Sequence, residues 1–261
     1  MIRAWFALLA LVLAGATHAG TACRTTTASP QAIAAAAETA RAVASALDAR
    51  DRPVALLARV GTDLSKYGLR YSHVAFVLRD HPDGRWTVVH ELNECGTARS
   101  ALYTQGLVNF FVDDLVVQDA KIVWPDDETS AALVALLGAD ASRVHEPHYS
   151  VIARAGSTRY QNSTAWVLET IGAADAEARE RSAAQAWVAA HGFQPDVIHI
   201  PYSQRVLGGL FSANAAFGDH PVAARLGGEY RVVTVRSIFR WLRDSDAVVD
   251  ELEIGSAAGG D

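Results

Sequence analysis

The chain alternates between short apolar runs and longer stretches with helical spacing, and this pattern predicts a mixed fold. Apolar runs bounded by Pro, Gly or polar residues predict strands at residues 54–60, 72–78, 86–92, 121–124, 197–200 and 230–235. Alanine-rich or amphipathic stretches with polar caps predict helices at residues 29–50, 126–137, 161–174, 183–190 and 237–243. A His-Pro-Asp-Gly turn joins the second and third strands into a hairpin. We therefore expect the α+β class, with helices packed around a largely antiparallel sheet.

The first residues have the pattern of a secretory signal peptide. Arg3 supplies a positive charge, residues 4–14 are apolar without interruption, and residues 17–19 (Thr-His-Ala) place small side chains at a cleavage site. A membrane-spanning helix needs about 20 apolar residues, so this run is too short to be an anchor. We therefore expect cleavage after residue 19 and export to the periplasm or the medium of a bacterial cell.

The composition is that of an ordinary globular domain. Half of the 261 residues are hydrophobic and 20% are charged, so the chain can bury a full core. The formal net charge is −6 and the basic residues form no runs, which argues against nucleic acid and anionic membrane surfaces as partners. After removal of the signal peptide at residues 1–19, a single domain is expected over residues 20–261, with its core at residues 54–243 and a frayed tail at residues 255–261.

The chain has two cysteines, Cys23 and Cys95, and both remain after the expected cleavage. Because two thiols in an oxidising compartment can pair, we hypothesise a Cys23–Cys95 disulfide bond. Lipid attachment at Cys23 is disfavoured because Gly20 stands where lipoprotein signals usually carry Leu. Neither cysteine lies in a CxxC pair, so a structural zinc site has no support, and we expect no cofactor.

Two groups of polar residues are weak candidates for chemistry. Residues 145–148 (His-Glu-Pro-His) lack the HExxH spacing of a zinc protease, and Pro147 breaks any helix there, so no metal is expected. The acidic residues 113–114 and 126–128 have no spacing specific to glycoside chemistry. The second acidic group fits the first turn of a helix, where the helix dipole favours negative charge.

A stronger candidate combines His73, His90 and Ser163. The two histidines lie on adjacent strands of the predicted hairpin, and Ser163 lies at a predicted helix N-terminus, where free backbone N–H groups can form an oxyanion hole. Packing this helix against the sheet lets His73 act as general base toward Ser163, with His90 orienting its ring. Strand alternation allows only one of His90 and Glu91 to face such a site.

Three segments resemble the active-site motifs of circularly permuted papain-like proteins, relatives of the NlpC-type cell-wall peptidases and of lecithin–retinol acyltransferase. They are YSHVAFV at residues 71–77, VHE at residues 89–91 and NSTAWV at residues 162–167. The resemblance implies a permuted papain-like core, with Ser163 where these proteins carry a Cys nucleophile. It further implies hydrolysis or acyl transfer at an amide, ester or thioester bond. The implied partners are a peptidoglycan peptide or an acylated small ligand.

A closer resemblance connects the chain with a bacterial family catalogued as domain of unknown function 2145. The shared segments are RVG-x-DLSKYGLRYSH at residues 59–73, GL-x-NFF-x-DD at residues 106–114 and YQ-x-S-x-x-W at residues 160–166. The resemblance covers most of residues 54–240 and implies no particular activity.

Two alternatives to catalysis stay open on the sequence. A thiol site replaced by serine can be a retained cleft, so the chain can equally be a non-catalytic periplasmic binding module. In the plainest alternative, Ser163 only caps its helix and His73 is a satisfied, partly buried histidine. The apolar residues Phe110, Phe111, Trp124 and Trp166 can line a pocket or belong to the core, and the core is the commoner outcome.

Overall fold

The computed structural model describes residues 27–113, 115–204 and 214–255. The predicted signal peptide, Cys23, Asp114 and nearly all of the predicted frayed tail lie outside these residues, so the expectations for them stay predictions. Cys95 is disulfide-bonded. Within the described residues no helix is both long and apolar enough to cross a membrane.

The α+β class is confirmed. The described α-helices are α1 (Pro30–Asp48), α2 (Leu107–Val112), α3 (Asp127–Asp140), α4 (Ser163–Asp175), α5 (Arg181–Ala190), α6 (Val222–Gly227) and α7 (Val235–Asp244). The described strands are β1 (Val54–Val60), β2 (His73–His81), β3 (Gly84–Asn93), β4 (Ser100–Gln105), β5 (Val117–Pro125), β6 (Asp196–His199), β7 (Glu229–Val232) and β8 (Val248–Ile254). A short 3-10 helix spans Ser65–Tyr67.

The main sheet has six strands in the order β4-β3-β2-β1-β5-β8, and each neighbouring pair is antiparallel. Strand β1 is buried along its whole length because helices cover both faces of the sheet. The predicted hairpin is present, and its register pairs Phe76 with Val89. A separate antiparallel ribbon consists of β6 and β7.

Two apolar cores lie on opposite faces of the main sheet. On one face α4 packs between the sheet and helices α3, α5 and α7, and Trp166 lies in this core. Helices α1 and α2 cover the other face, where Phe110, Phe111 and Trp124 are buried. The four large apolar residues left open by the sequence are therefore all core residues. A third, smaller core joins the β6–β7 ribbon to Leu69 and Ile152.

Local capping explains where the long helices begin. Ser29 Oγ accepts from the N–H of Ala32 at 3.1 Å, and Pro30 follows at the first helical position. Asp126 Oδ1 accepts from the N–H of Thr129 at 2.7 Å, so this acidic residue caps α3. Both helices start where the sequence predicts.

Several elements differ from the prediction. Strands β4 and β8 and the short helices α2 and α6 have no counterpart among the predicted elements. The predicted strand at residues 230–235 is too long, because β7 ends at Val232 and Val235 already begins α7. The cause is local: Thr234 accepts from the N–H of Ser237 and caps that helix, so an apolar run is divided between a strand and a helix.

Candidate functional site

Ser163 is the first residue of α4. Asn162 caps this helix, since its side-chain oxygen accepts from the N–H of Ala165 at 2.8 Å. The N–H groups of Ser163 and Thr164 belong to the first turn, where a helix offers no intrahelical acceptor. The Ser163 side chain therefore lies beside two backbone donors and at the positive end of the helix dipole.

The structure brings the three candidate residues together. His73 Nδ1 lies 3.1 Å from Ser163 Oγ, and His73 Nε2 lies 2.9 Å from His90 Nδ1. His90 Nε2 lies 3.2 Å from Gln105 Oε1 on the edge strand β4. The four side chains form one continuous chain of hydrogen bonds from the helix N-terminus across the end of the hairpin.

The side chain of Gln105 determines which atom donates and which accepts in each hydrogen bond of this series. If Gln105 presents its amide oxygen, it can only accept, so His90 must carry its proton on Nε2 and leave Nδ1 as an acceptor. His73 then donates through Nε2 and keeps the lone pair of Nδ1 toward the Ser163 hydroxyl. This arrangement of protons is the one in which His73 can act as a general base.

The position of His73 at the start of β2 lets it contact both layers of helices. Its ring lies 5.8 Å from the ring of Phe110 in α2 and hydrogen-bonds to Ser163 in α4. His90 also packs against Phe110, at 5.5 Å between ring centroids. Apolar packing therefore fixes both imidazoles from the side opposite the nucleophile.

Both imidazoles are held neutral. Burial, the charge of Arg59 and the presence of His90 lower the pKa of His73 well below its ordinary value. Burial and Arg59 lower the pKa of His90 to about 4, although the hydrogen bond to Gln105 and the charge of Asp113 act in the opposite direction. A neutral His73 keeps the lone pair that a base needs, but a protonated His73 is disfavoured by the same surroundings.

Arg59 is a buried cation behind the histidines. Its guanidinium lies 4.6 Å from the centre of the Phe110 ring, donates to the Phe110 carbonyl and pairs with Asp113 at 2.7 Å. Burial lowers the pKa of Arg59, and the Asp113 carboxylate opposes this shift. Asp113, from the first acidic group of the sequence, thus neutralises a buried charge near the site.

Glu91 points away from the histidines, as strand alternation requires. The side chain is fully buried, and neither carboxyl oxygen has a well-formed hydrogen bond to the described residues. The neighbouring Ser100 hydroxyl lies 3.2 Å from His145 Nε2 and 3.4 Å from the Glu146 carbonyl. Burial raises the pKa of Glu91 to about 8, with Ser100 acting in the opposite direction and the charge of Glu169 adding to the rise.

A buried ion pair holds the loop that leads to Ser163. Arg181 Nε donates to Glu169 at 2.7 Å, and the same guanidinium donates to the backbone carbonyls of Ser157, Thr158 and Tyr160. Gln161 joins this network by donating to Glu169. Because each of these groups is satisfied, the network fixes the approach of the chain to the N-terminus of α4.

Ser163 opens on a cavity of about 320 Å³. Its lining comes from the loop before β2, from the turn at residues 149–152, from the N-terminus of α4 and from the β6–β7 ribbon. Tyr149 lines the same cavity as Ser163. Burial raises the pKa of Tyr149, so this phenol stays protonated and can donate. His73 and His90 lie behind Ser163, away from this lining.

The weaker candidates stay apart from this site. His145 contacts Ser100, whereas His148 pairs with Glu146 at 2.6 Å, so the two imidazoles do not share a centre. In the described part of the chain, no three His, Cys, Asp or Glu side chains are arranged to hold a metal ion. Asp127 and Glu128 lie in the first turn of α3, the place expected for them from the helix dipole.

Sequence reasoning missed Gln105, Arg59 and Tyr149. Gln105 lies on an edge strand that the pattern did not predict, and its contact with His90 depends on the β3–β4 pairing. Arg59 occupies an apolar strand, where a single charged residue gives no sign of its partner. Tyr149 follows the His-Glu-Pro-His segment, and no local pattern connects it with Ser163.

The residues of the site lie within a segment of the chain that matches a known protein family. The model of a bacterial family, described as an uncharacterized protein conserved in bacteria (DUF2145), matches residues 46–242. This range contains Ser163, both histidines and Gln105, and it confirms the family resemblance seen in the sequence. No curated protein and no solved structure matches the chain. The relationship to papain-like proteins stays a prediction.

Proposed function

The chain belongs to this bacterial family, and from the geometry of its site we propose that it is an exported hydrolase or acyltransferase acting on amide or ester bonds through Ser163. The observation that carries the proposal is the hydrogen-bonded series Ser163–His73–His90–Gln105, which ends at a cavity. Nucleophile, base and orienting group within hydrogen-bond reach are the signature of an activated serine.

In the first half-reaction, Ser163 Oγ attacks the carbonyl carbon of the substrate and its proton passes to His73 Nδ1. The N–H groups at the start of α4 and the Tyr149 hydroxyl stabilise the negative charge that develops on the carbonyl oxygen. The bond to the leaving alcohol or amine then breaks, and His73 returns the proton to that leaving group. The products are an acyl-Ser163 ester and the free alcohol or amine.

In the second half-reaction, water or an acceptor alcohol or amine attacks the acyl-Ser163 ester. His73 Nδ1 takes the proton of the attacking group and returns it to Ser163 Oγ as the ester bond breaks. Hydrolysis releases a carboxylic acid, whereas an acceptor molecule leaves with the acyl group. His90 accepts from His73 Nε2 throughout and holds the ring in one orientation.

Two further parts of the proposal concern the fold and the compartment. A histidine strand, a neighbouring polar strand and a nucleophile at a helix N-terminus support a permuted papain-like core. The disulfide-bonded state of Cys95 supports an oxidising compartment, in agreement with the signal-peptide pattern. Protein purified from the periplasm of an exporting host is expected to begin at or near Gly20, and an intact Met1 would contradict export by cleavage.

The proposal is tested by labelling the protein with a fluorophosphonate and locating the adduct by mass spectrometry. We expect one adduct, on Ser163, and none in Ser163→Ala. Ser130→Ala is the matched control, because Ser130 is also buried near a helix N-terminus but donates to the Pro125 carbonyl. His73→Ala is expected to slow labelling by about 100- to 10,000-fold, the usual contribution of a general base.

A second test exchanges the nucleophile. Ser163→Cys is expected to retain or increase reactivity toward a thiol-directed probe, because a thiol needs less activation than a hydroxyl. Wild-type protein that is folded but neither forms an adduct nor hydrolyses an activated ester would refute catalysis.

Non-catalytic binding in the same cavity is the second candidate function. It is favoured by Arg59, whose charge disfavours the imidazolium that His73 must become during proton transfer. In that case ligand binding persists in Ser163→Ala and no covalent adduct forms in the wild type.

A further inference from the structure

The surface of the cavity at Ser163 is mostly apolar. Its apolar lining includes Leu64, Leu69, Ile152, Ile198, Ile200 and Val232; Leu64 is half-buried against the third core, and the other five are buried in it. The charged lining residues among those described are Asp63 and Lys66, and both are exposed. The charged part of the lining therefore lies at exposed positions, whereas the other polar lining residues are uncharged hydroxyl and amide side chains.

This distribution discriminates between the two substrate classes that the sequence left open. A peptidoglycan stem peptide carries charged and amide groups that lose water on entry and need partners. The cavity has no buried charged group to pair with the charges of such a peptide, whereas its mostly apolar surface can bury an apolar chain while the carbonyl carbon stays beside Ser163. The volume of about 320 Å³ is roughly ten times the ~30 Å³ that one water occupies in the liquid, and a methylene group is of similar size.

We propose that the cavity bounded by Leu69, Ile152 and Ile198 binds the apolar acyl chain of a medium-chain ester or amide, with the scissile carbonyl at Ser163. This inference rests on the proposed function for its reaction, but the acyl site can be measured without catalysis. In this proposal the acyl chain of the substrate enters past the loop at residues 62–72 and ends against the β6–β7 ribbon.

Hydrolysis of p-nitrophenyl esters from acetate to hexadecanoate tests the site in the wild-type protein. We expect kcat/KM to rise about fourfold for each added CH2, the equivalent of about 0.8 kcal/mol, until the cavity is filled near eight to ten carbons. Longer chains are expected to react more slowly. A kcat/KM that does not depend on chain length would overturn the acyl site.

A pair of tryptophan variants on β6 tests the position of the chain. Ile198 faces the cavity and Val197, its neighbour, faces solvent. Ile198→Trp is expected to move the optimum toward shorter esters, whereas Val197→Trp adds the same bulk outside and leaves the profile unchanged. Equal profiles for the two variants would contradict the proposed location.

Binding of decanoate to Ser163→Ala, measured by calorimetry, separates the acyl site from catalysis. We expect saturable binding that is weakened by Ile198→Trp and not by Val197→Trp. If decanoate binds but the wild type hydrolyses no ester, the acyl site stands and the proposed catalysis fails. If Ser163 is labelled but decanoate does not bind and chain length has no effect, catalysis stands and the acyl site is wrong.

Discussion

Replacing Glu91 by Gln isolates the energetic cost of the buried carboxyl group next to His90. Glu91 has no exposed surface, and burial raises its pKa from 4.5 to about 8. Between these values the unfolded chain has lost its proton while the folded protein keeps it. The folded state therefore binds more protons, and this group lowers the stability of the protein as the pH rises.

The magnitude follows from the interval between the two pKa values. At about 1.36 kcal/mol for each pH unit, the cost is near zero at pH 4.5, about 3 kcal/mol at pH 7 and about 5 kcal/mol above pH 8. Glu91→Gln keeps the shape of the protonated acid but cannot ionise. The variant is thus expected to gain stability over the wild type by these amounts as the pH increases.

The assay is urea denaturation between pH 5 and pH 8.5 under non-reducing conditions, followed by tryptophan fluorescence. Glu229→Gln is the matched control, because Glu229 is an exposed strand residue. Its difference from the wild type is expected to stay within about 0.5 kcal/mol at every pH. A constant difference between Glu91→Gln and the wild type over this range would refute the reasoning, since it would mean that Glu91 does not titrate differently in the folded state.

Three other substitutions test the packing of α4 on α5, the cap of α4 and the contact between Gln105 and His90. In Gly172→Ala the new methyl group would lie 2.6 Å from Val188 Cγ1. We therefore expect the free energy of unfolding, measured by urea denaturation, to fall by about 1–3 kcal/mol. An unchanged urea midpoint would contradict tight packing of α4 on α5. Asn162→Ala removes the cap of α4. It is expected to lower the free energy of unfolding by about 1 kcal/mol and to slow labelling of Ser163 by the fluorophosphonate. If both the stability and the labelling rate were unchanged, the cap would be dispensable. Gln105→Glu places a carboxylate near His90 and is expected to raise the pKa of that imidazole in an NMR titration, whereas an unmoved titration would contradict the hydrogen bond seen at 3.2 Å.

Helix starts and the central strands were predictable because their causes are local. Ser29, Asp126 and Asn162 each accept from an N–H three residues further along the chain, so the capping residue and its partner stand in one short segment. Strand β1 has the predicted bounds because an apolar run between Pro53 and Gly61 fits a fully buried strand.

The edge strands were not predictable in the same way. Strand β8 mixes acidic and apolar residues without a regular alternation of buried and exposed positions, and β4 is a six-residue run with apolar residues only at its centre. Their extended conformation depends on pairing with β5 and β3, partners that are distant or weakly indicated in the sequence. Helix α2 spans only six residues, too few for a helical period to stand out.

The sequence by itself determined the helix caps, the hairpin that carries both histidines and the choice of Ser163, His73 and His90 as one group. Only the tertiary structure decided their distances, the apolar cavity beside Ser163 and the role of Gln105 as the last acceptor. The physical reason is that caps and turns depend on neighbours within a few residues. Burial, pKa shifts and proton direction instead depend on groups such as Arg59 and Gln105, which reach the site only when the sheet and its helices are assembled.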